Sequence, residues 1–122
     1  MIVAGIGCRT GVSAEDILAL LRIAAQTMRP DALAVPDFRR DEPGIAAASV
    51  ALCLTILWVD RAALRGEQGR CVTRSARAQA EIGLSCVAEA AALHAAGAGS
   101  RLILPRIAGG GVTCALAEGL SL

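Results

Sequence analysis

The sequence predicts an α/β fold: a single three-layer α/β/α domain spanning residues 1–122, with a mainly parallel (mixed) sheet and a C-terminal hairpin. Three observations predict it. Short apolar runs of strand length alternate with segments of helical periodicity. The last two apolar runs flank a glycine-rich stretch suited to a hairpin. A chain of 122 residues is the size of one compact domain and can bury a core without disulfides or metal.

The elements follow in order. Ile2 to Ile6 is apolar and ends in glycine, as a buried central strand does. Ser13 can cap the helix AEDILALLRIAAQTM, with Asp16 at the capping-box position. Ile17, Leu20, Leu21, Ala24 and Met28 form its apolar face, and Pro30 ends it. Ala32 to Pro36 reads as a short strand leading into the polar segment DFRRDEPG. A second helix begins near Pro43, tolerable in a first turn, and runs to about Cys53. Leu54 to Val59 reads as a strand, and Asp60 can cap a short helix containing Leu64. Gly66 to Thr73 reads as a flexible loop. Ser75 to Ile82 is a short helix closed by Gly83. Ser85 can cap the Ala-rich helix Cys86 to Ala96, which Gly97 stops. Leu102–Leu104 and Val112–Leu116 are the last strands, around the loop PRIAGGG.

Composition excludes several functions. The formal net charge is +1, so no broad field draws the chain to nucleic acid or anionic lipid. Aromatics are 2% of the chain, with one Trp, one Phe and no Tyr, which argues against base-stacking surfaces. The five cysteines, at positions 8, 53, 71, 86 and 114, show no CxxC spacing. Neither a zinc site nor a disulfide framework is expected, and scattered thiols suit a reducing cytosol. The start MIVAGIGCRTG lacks the pattern of a signal peptide. PGIAAASVALCLTILWV is a run of 17 uncharged residues, borderline for a membrane helix of about 20. Its change from Ala-rich to Leu54, Ile56 and Val59 reads better as a helix followed by a buried strand. The expected location is cytoplasmic.

The first chemistry-bearing segment is the loop Gly5-Ile-Gly-Cys-Arg-Thr-Gly11. Gly5, Gly7 and Gly11 allow sharp turning and close approach of a ligand. The helix that Ser13 caps presents free N–H groups suited to a carboxylate or phosphate. Arg9 adds a planar cationic fork. The same pattern also fits a tight turn with a solvated arginine. It is not a dinucleotide fingerprint, because Thr10 stands where GxGxxG needs glycine, and no P-loop lysine follows. FRRDEPG places Arg39, Arg40, Asp41 and Glu42 where they can present a mixed polar surface or simply a solvated helix start. Arg106 and Thr113 flank Gly109, Gly110 and Gly111, which suit backbone contact with a ligand or a loose turn. Glu89 fits a site carboxylate or a first-turn charge. Cys53, Cys86 and Cys114 read as small core residues. Cys8 stands near a helix start beside Arg9, where a thiolate is favoured. His94, the one histidine, is the only base available to it.

These segments resemble the CobE and CbiG C-terminal family. GIGCRTGVSAEDI is similar to its opening strand, glycine loop and helix. PDFRRDEPGI is similar to its charged segment, with Asp41, Glu42 and Gly44 matching and Arg39 where lysine is common. Ser75 falls near a family serine ahead of Gly83. SCVAEAAAL resembles the Ala-rich helix, including Glu89. LILPRIAGGGVTCALA resembles the closing hairpin, with Val112, Thr113 and Ala115 in place and Arg106 where lysine is frequent. The five segments keep the family's order across almost the whole chain, whereas residues 61–74 match poorly. The N-terminal portion of CbiG, linked to ring-lactone opening, has no counterpart. The resemblance therefore implies a free-standing form of the aerobic cobalamin route.

The implied ligand is a precorrin or corrinoid intermediate, an apolar macrocycle rimmed by carboxylates. Small or apolar walls and several cationic or N–H donors would hold it. The expected ligand-binding set is Gly5, Gly7, Cys8, Arg9, Thr10, Gly11, Ser13, Arg39, Asp41, Glu42, Ser75, Glu89, Arg106, Gly110 and Thr113. No cofactor and no metal is called for. Binding, carriage or protection of the intermediate is the leading expectation. The alternatives are an enzyme using Asp41, Glu42 or Glu89 as acid or base, and a module docking on pathway enzymes through Trp58 or the Ala-rich helix.

Overall fold

The structure, a computed structural model, describes residues 1–119. The strands are β1 (Ile2–Cys8), β2 (Ala32–Pro36), β3 (Thr55–Val59), β4 (Arg101–Gly109) and β5 (Val112–Glu118). The helices are α1 (Ala14–Ala25), α2 (Pro43–Leu52), α3 (Arg61–Gly66), α4 (Ala76–Ile82) and α5 (Ala88–Ala96). The sheet order is β3-β2-β1-β5-β4, with β1 central as expected. β1, β2 and β3 run parallel, and β5 pairs antiparallel with both β1 and β4.

Alternation along the strands separates two cores. Ala4, Ile6, Leu33 and Val35 face α1 and α2, joining Ile17, Leu20, Leu21 and Ile45. Val3, Ala34 and Val59 face the other way, toward α3 and α5, with Leu64, Ala90 and Ala91. This is the three-layer α/β/α arrangement. Helix α5 is buried from Ala88 to Leu93. Its alanines let its backbone lie close on the sheet, and at Gly5 a Cβ would overlap the Ala88 carbonyl. Gly5 therefore serves the close packing of α5 on the sheet.

Caps set most boundaries. Ser13 Oγ accepts the Asp16 N–H at 3.1 Å, Asp60 Oδ1 the Ala63 N–H at 2.7 Å, and Ser75 Oγ the Ala78 N–H at 3.1 Å. The apolar run 43–59 resolves into α2 and β3, and no described helix is long and apolar enough to cross a membrane.

Several expectations are corrected. Met28 lies beyond α1 and is exposed. Ser85 does not cap α5, which starts two residues later than expected for a Ser85 cap and has Val87 at its N-cap. Ser85 Oγ instead meets Arg74 and Gln68. The stretch PRIAGGG is mostly strand, because β4 continues to Gly109 and only Gly110 and Gly111 make the turn. Both have positive φ, +62° and +78°, as a tight two-residue hairpin requires. Pro105 is admitted because β4 is an edge strand and its ladder is irregular between Leu104 and Ile107.

Candidate functional site

A cavity of about 330 Å³ opens at the carboxyl ends of β1 and β2. Parallel strands leave their loops there, at the point where the sheet changes from parallel to antiparallel partners, a position suited to ligands. Of the expected residues, Gly7, Cys8, Arg9, Arg39, Ser75, Arg106 and Thr113 line it. They come from four separate chain segments. Gly7 has no room for a side chain, since a Cβ would meet Thr113 Oγ1, which itself reaches the Gly7 carbonyl at 3.3 Å.

The charged segment after β2 folds back onto the glycine loop. Residues Asp37–Arg39 form a 3-10 turn. Arg39 Nε donates to the Cys8 carbonyl at 2.8 Å, and the Glu42 carboxylate accepts the Gly11 N–H. Arg39 and Arg61 lie against the Phe38 ring, at 5.0 and 4.7 Å from its centroid. Their positions are thereby restricted. Arg40 lies over Trp58 and is not among the lining residues.

The remaining expected residues do not line the cavity. Gly11 and Glu42 bond to each other, and Ser13 caps α1. Thr10 and Asp41 are exposed outside the cavity. Gly110 belongs to the hairpin turn. Glu89 is buried, with 1% exposure, beneath the site. Its Oε1 accepts the Val72 and Thr73 N–H groups at 2.9 Å each, and its Oε2 accepts the Arg106 N–H at 2.9 Å. Burial alone raises a carboxyl's pKa, but here the donors from Arg106, Thr73 and Val72 outweigh it and hold Glu89 below its ordinary value. Glu89 is thus an ionised pin between β4 and the segment after Cys71.

The cysteines correct the sequence reading most. Cys71 and Cys86 are joined in a disulfide, although no such bond was expected. Their 15-residue separation carries no local signature, and only the fold brings them together. Cys53 is exposed, not core, and occupies the left-handed C-cap of α2. Cys114 is buried, which pushes its thiol up to about 12. Cys8 lines the cavity, but burial raises its thiol pKa more than Arg39 lowers it. The guanidinium acting on it is that of Arg39 and not that of Arg9 as expected, and His94 does not line the cavity. The geometry offers no activated Cys-His pair there.

Cys71, Cys86 and Glu89 bring three ligand-type atoms within 4.8 Å. The two sulfurs are bonded to each other and the carboxylate already accepts three N–H groups, so this cluster is a structural knot. Sequence reading missed the rest of the lining, which includes Phe38, Arg77, Glu81, Ile82, Ser85 and Val87. Arg77 and Glu81 form an exposed i,i+4 pair at 3.0 Å. That spacing was visible in the sequence, but nothing local said that α4 borders a cavity.

Residues 2–117 match the family described as cobalamin synthesis G C-terminus. A curated relative, protein CobE of Sinorhizobium sp, is 35% identical over 121 residues, covering 95% of this chain and 79% of the relative. The crystal structure of CobE, a protein from the cobalamin (vitamin B12) biosynthetic pathway, superposes with a TM-score of 0.89 at 38% identity, covering 100% of this chain and 92% of that one. Cobalamin biosynthesis protein chiG from Agrobacterium tumefaciens superposes with a TM-score of 0.78 at 35% identity, covering 99% and 100%. With the glycine loop, the charged segment, the Ala-rich helix and the hairpin assembled in one fold, the chain belongs to the cobalamin synthesis G C-terminal family.

Proposed function

We propose that the chain binds a precorrin or corrinoid intermediate of cobalamin synthesis and serves as its binder, carrier or protector, in the aerobic route. One observation carries this reading. Four arginines, Arg9, Arg39, Arg77 and Arg106, border a cavity whose remaining lining includes Phe38, Pro36, Ile82 and Val87. Guanidinium forks suit carboxylates, and the apolar part suits the edge of a macrocycle.

The size of the cavity refines the reading. About 330 Å³ is at the small end for a site that engulfs a drug-sized ligand. It accepts one edge of a macrocycle with its acidic side chains and leaves the rest outside. Such one-edged holding favours handing a ligand on over processing it. A thiol at Cys8 that keeps its proton supports the same view.

The test is a titration of the purified protein with hydrogenobyrinic acid, followed by visible absorbance. The expected outcome is a saturable shift. Arg9→Ala and Arg106→Ala should each weaken it by about tenfold, the scale of one hydrogen bond to a charged group. A time-dependent spectral conversion in place of a saturable shift overturns the carrier reading in favour of an enzyme. No shift at any concentration sinks the reading for this ligand.

A further inference from the structure

The wall of the cavity formed by α4 is held at its two ends and at Ile82, whose carbonyl accepts from Arg61 Nη1 at 2.6 Å and whose side chain packs against the core. Between Cys71 and Cys86 only Leu84 is buried, and α4 itself contributes no buried residue. Ser75, Arg77 and Ser85 of this segment nevertheless line the cavity. The segment's base is closed by the Cys71–Cys86 bond and by the Ser75 N–H to the Ser85 carbonyl at 2.6 Å. Glu89 fixes Val72 and Thr73 directly after Cys71. Cys86, though only 4% exposed, also lines the cavity, so the bond's nearest approach from solvent is on the ligand's side.

We propose that the Cys71–Cys86 pair is a reversible thiol–disulfide latch that fixes the α4 wall of the cavity. The proposal rests on the reading of that cavity as the ligand site. A low-molecular-weight thiol enters through the cavity as its thiolate and attacks the Cys86 sulfur. The Cys71–Cys86 bond breaks, Cys71 leaves as a thiolate and takes a proton, and a mixed disulfide forms on Cys86. A second thiol then releases Cys86 and leaves as the small-molecule disulfide. Two electrons pass from two small thiols to the protein pair, and the two thiol protons end on Cys71 and Cys86. The reverse exchange, with a small-molecule disulfide as oxidant, restores the bond. The closed latch keeps Arg77 on the rim of the cavity that Arg39 and Arg106 also line. The open latch frees the wall and lowers affinity, so by linkage bound ligand favours the closed disulfide by the same factor.

The experiment equilibrates the full chain in glutathione buffers of graded redox poise and traps thiols by alkylation. Peptide mapping then counts modified Cys71 and Cys86, and trypsin cleavage after Arg74 and Arg77 reports the wall. Hydrogenobyrinic acid is titrated into the oxidised and the reduced chain. Expected results are a two-electron transition confined to Cys71 and Cys86, cleavage at least about tenfold faster when reduced, and pigment affinity at least about fivefold weaker. Saturating pigment should move the transition to a more reducing poise. The double variant C71S/C86S, checked for folding by circular dichroism, should behave as the reduced chain with or without reductant. Identical cleavage in both redox forms overturns the latch, as does recovery of alkylated Cys71 and Cys86 at every poise. A cleavage difference with no pigment bound by either form supports the latch and sinks the corrinoid reading alone.

Discussion

Glu89 shows how much one residue does when its partners are backbone. Three N–H donors converge on a carboxylate that is 1% exposed, and they come from segments 17 and 16 residues before it and 17 after it. Glu89→Ala leaves three donors without an acceptor, and each buried orphan costs about 1–3 kcal/mol. Destabilisation of the order of 3 kcal/mol is expected in urea unfolding. Glu89→Gln is milder, about 2 kcal/mol, because its amide turns a donor toward one of the N–H groups. The pH dependence follows from the lowered pKa. The contribution is complete above the unfolded value of about 4.5 and fades as pH falls through the lower folded value. The stability gap between wild type and Glu89→Gln should therefore narrow below about pH 4. A gap unchanged from pH 7 to pH 3 would show that the carboxylate's charge is not what pins the strand. In the sequence, Glu89 was legible only as a first-turn charge or a site carboxylate, since its donors are distant in the chain.

At the scale of elements, local chemistry was largely readable. Pro43 in a first turn and the Ser13 and Asp60 caps act within a few residues, so α1, α2 and α3 start where expected, although α1 ends at Ala25, short of the expected Met28. The failures occur where a distant partner decides. Ser85 has the chemistry of a cap, but Gln68 and Arg74 occupy its hydroxyl, and α5 begins after Val87 without a side-chain cap. β4 runs through Pro105 and Arg106 because β5 extends along it and Glu89 takes the Arg106 N–H. The two serines make a controlled comparison. Ser13→Ala should cost about 1 kcal/mol, a loss of about 4 °C in melting temperature for a chain of this length. Ser85→Ala should cost less than about 0.5 kcal/mol, since it removes partly exposed side-chain bonds and no helix cap. Equal losses from both would restore Ser85 as the cap of α5.

Across the whole molecule, a net charge of +1 conceals a polarised layout. Arg9, Arg39, Arg77 and Arg106 gather at one edge of the sheet, and among the described residues Glu81 is the one carboxylate lining the cavity with them. The two-sided core explains why this edge is where a ligand can approach. Helices cover both sheet faces, so the loops at the strand ends remain the accessible polar surface. The sequence announced the alternation of strands and helices and most of the lining loops. It did not announce the enclosure, because α4 reaches the cavity through the Cys71–Cys86 closure and not through any pattern of its own. Charge held at one edge has a measurable signature. Raising ionic strength from about 0.02 M to about 0.5 M shortens the Debye length from roughly 20 Å to roughly 4 Å. Affinity for hydrogenobyrinic acid should then fall by about tenfold or more, as screened guanidinium–carboxylate attraction is lost. A macrocycle whose carboxylates are converted to amides should bind more weakly at low salt and respond little to salt. If the amidated ligand binds as tightly as the acid, the arginines are not what recognises it. The cavity's apolar residues, led by Phe38 and Ile82, then become the recognising surface.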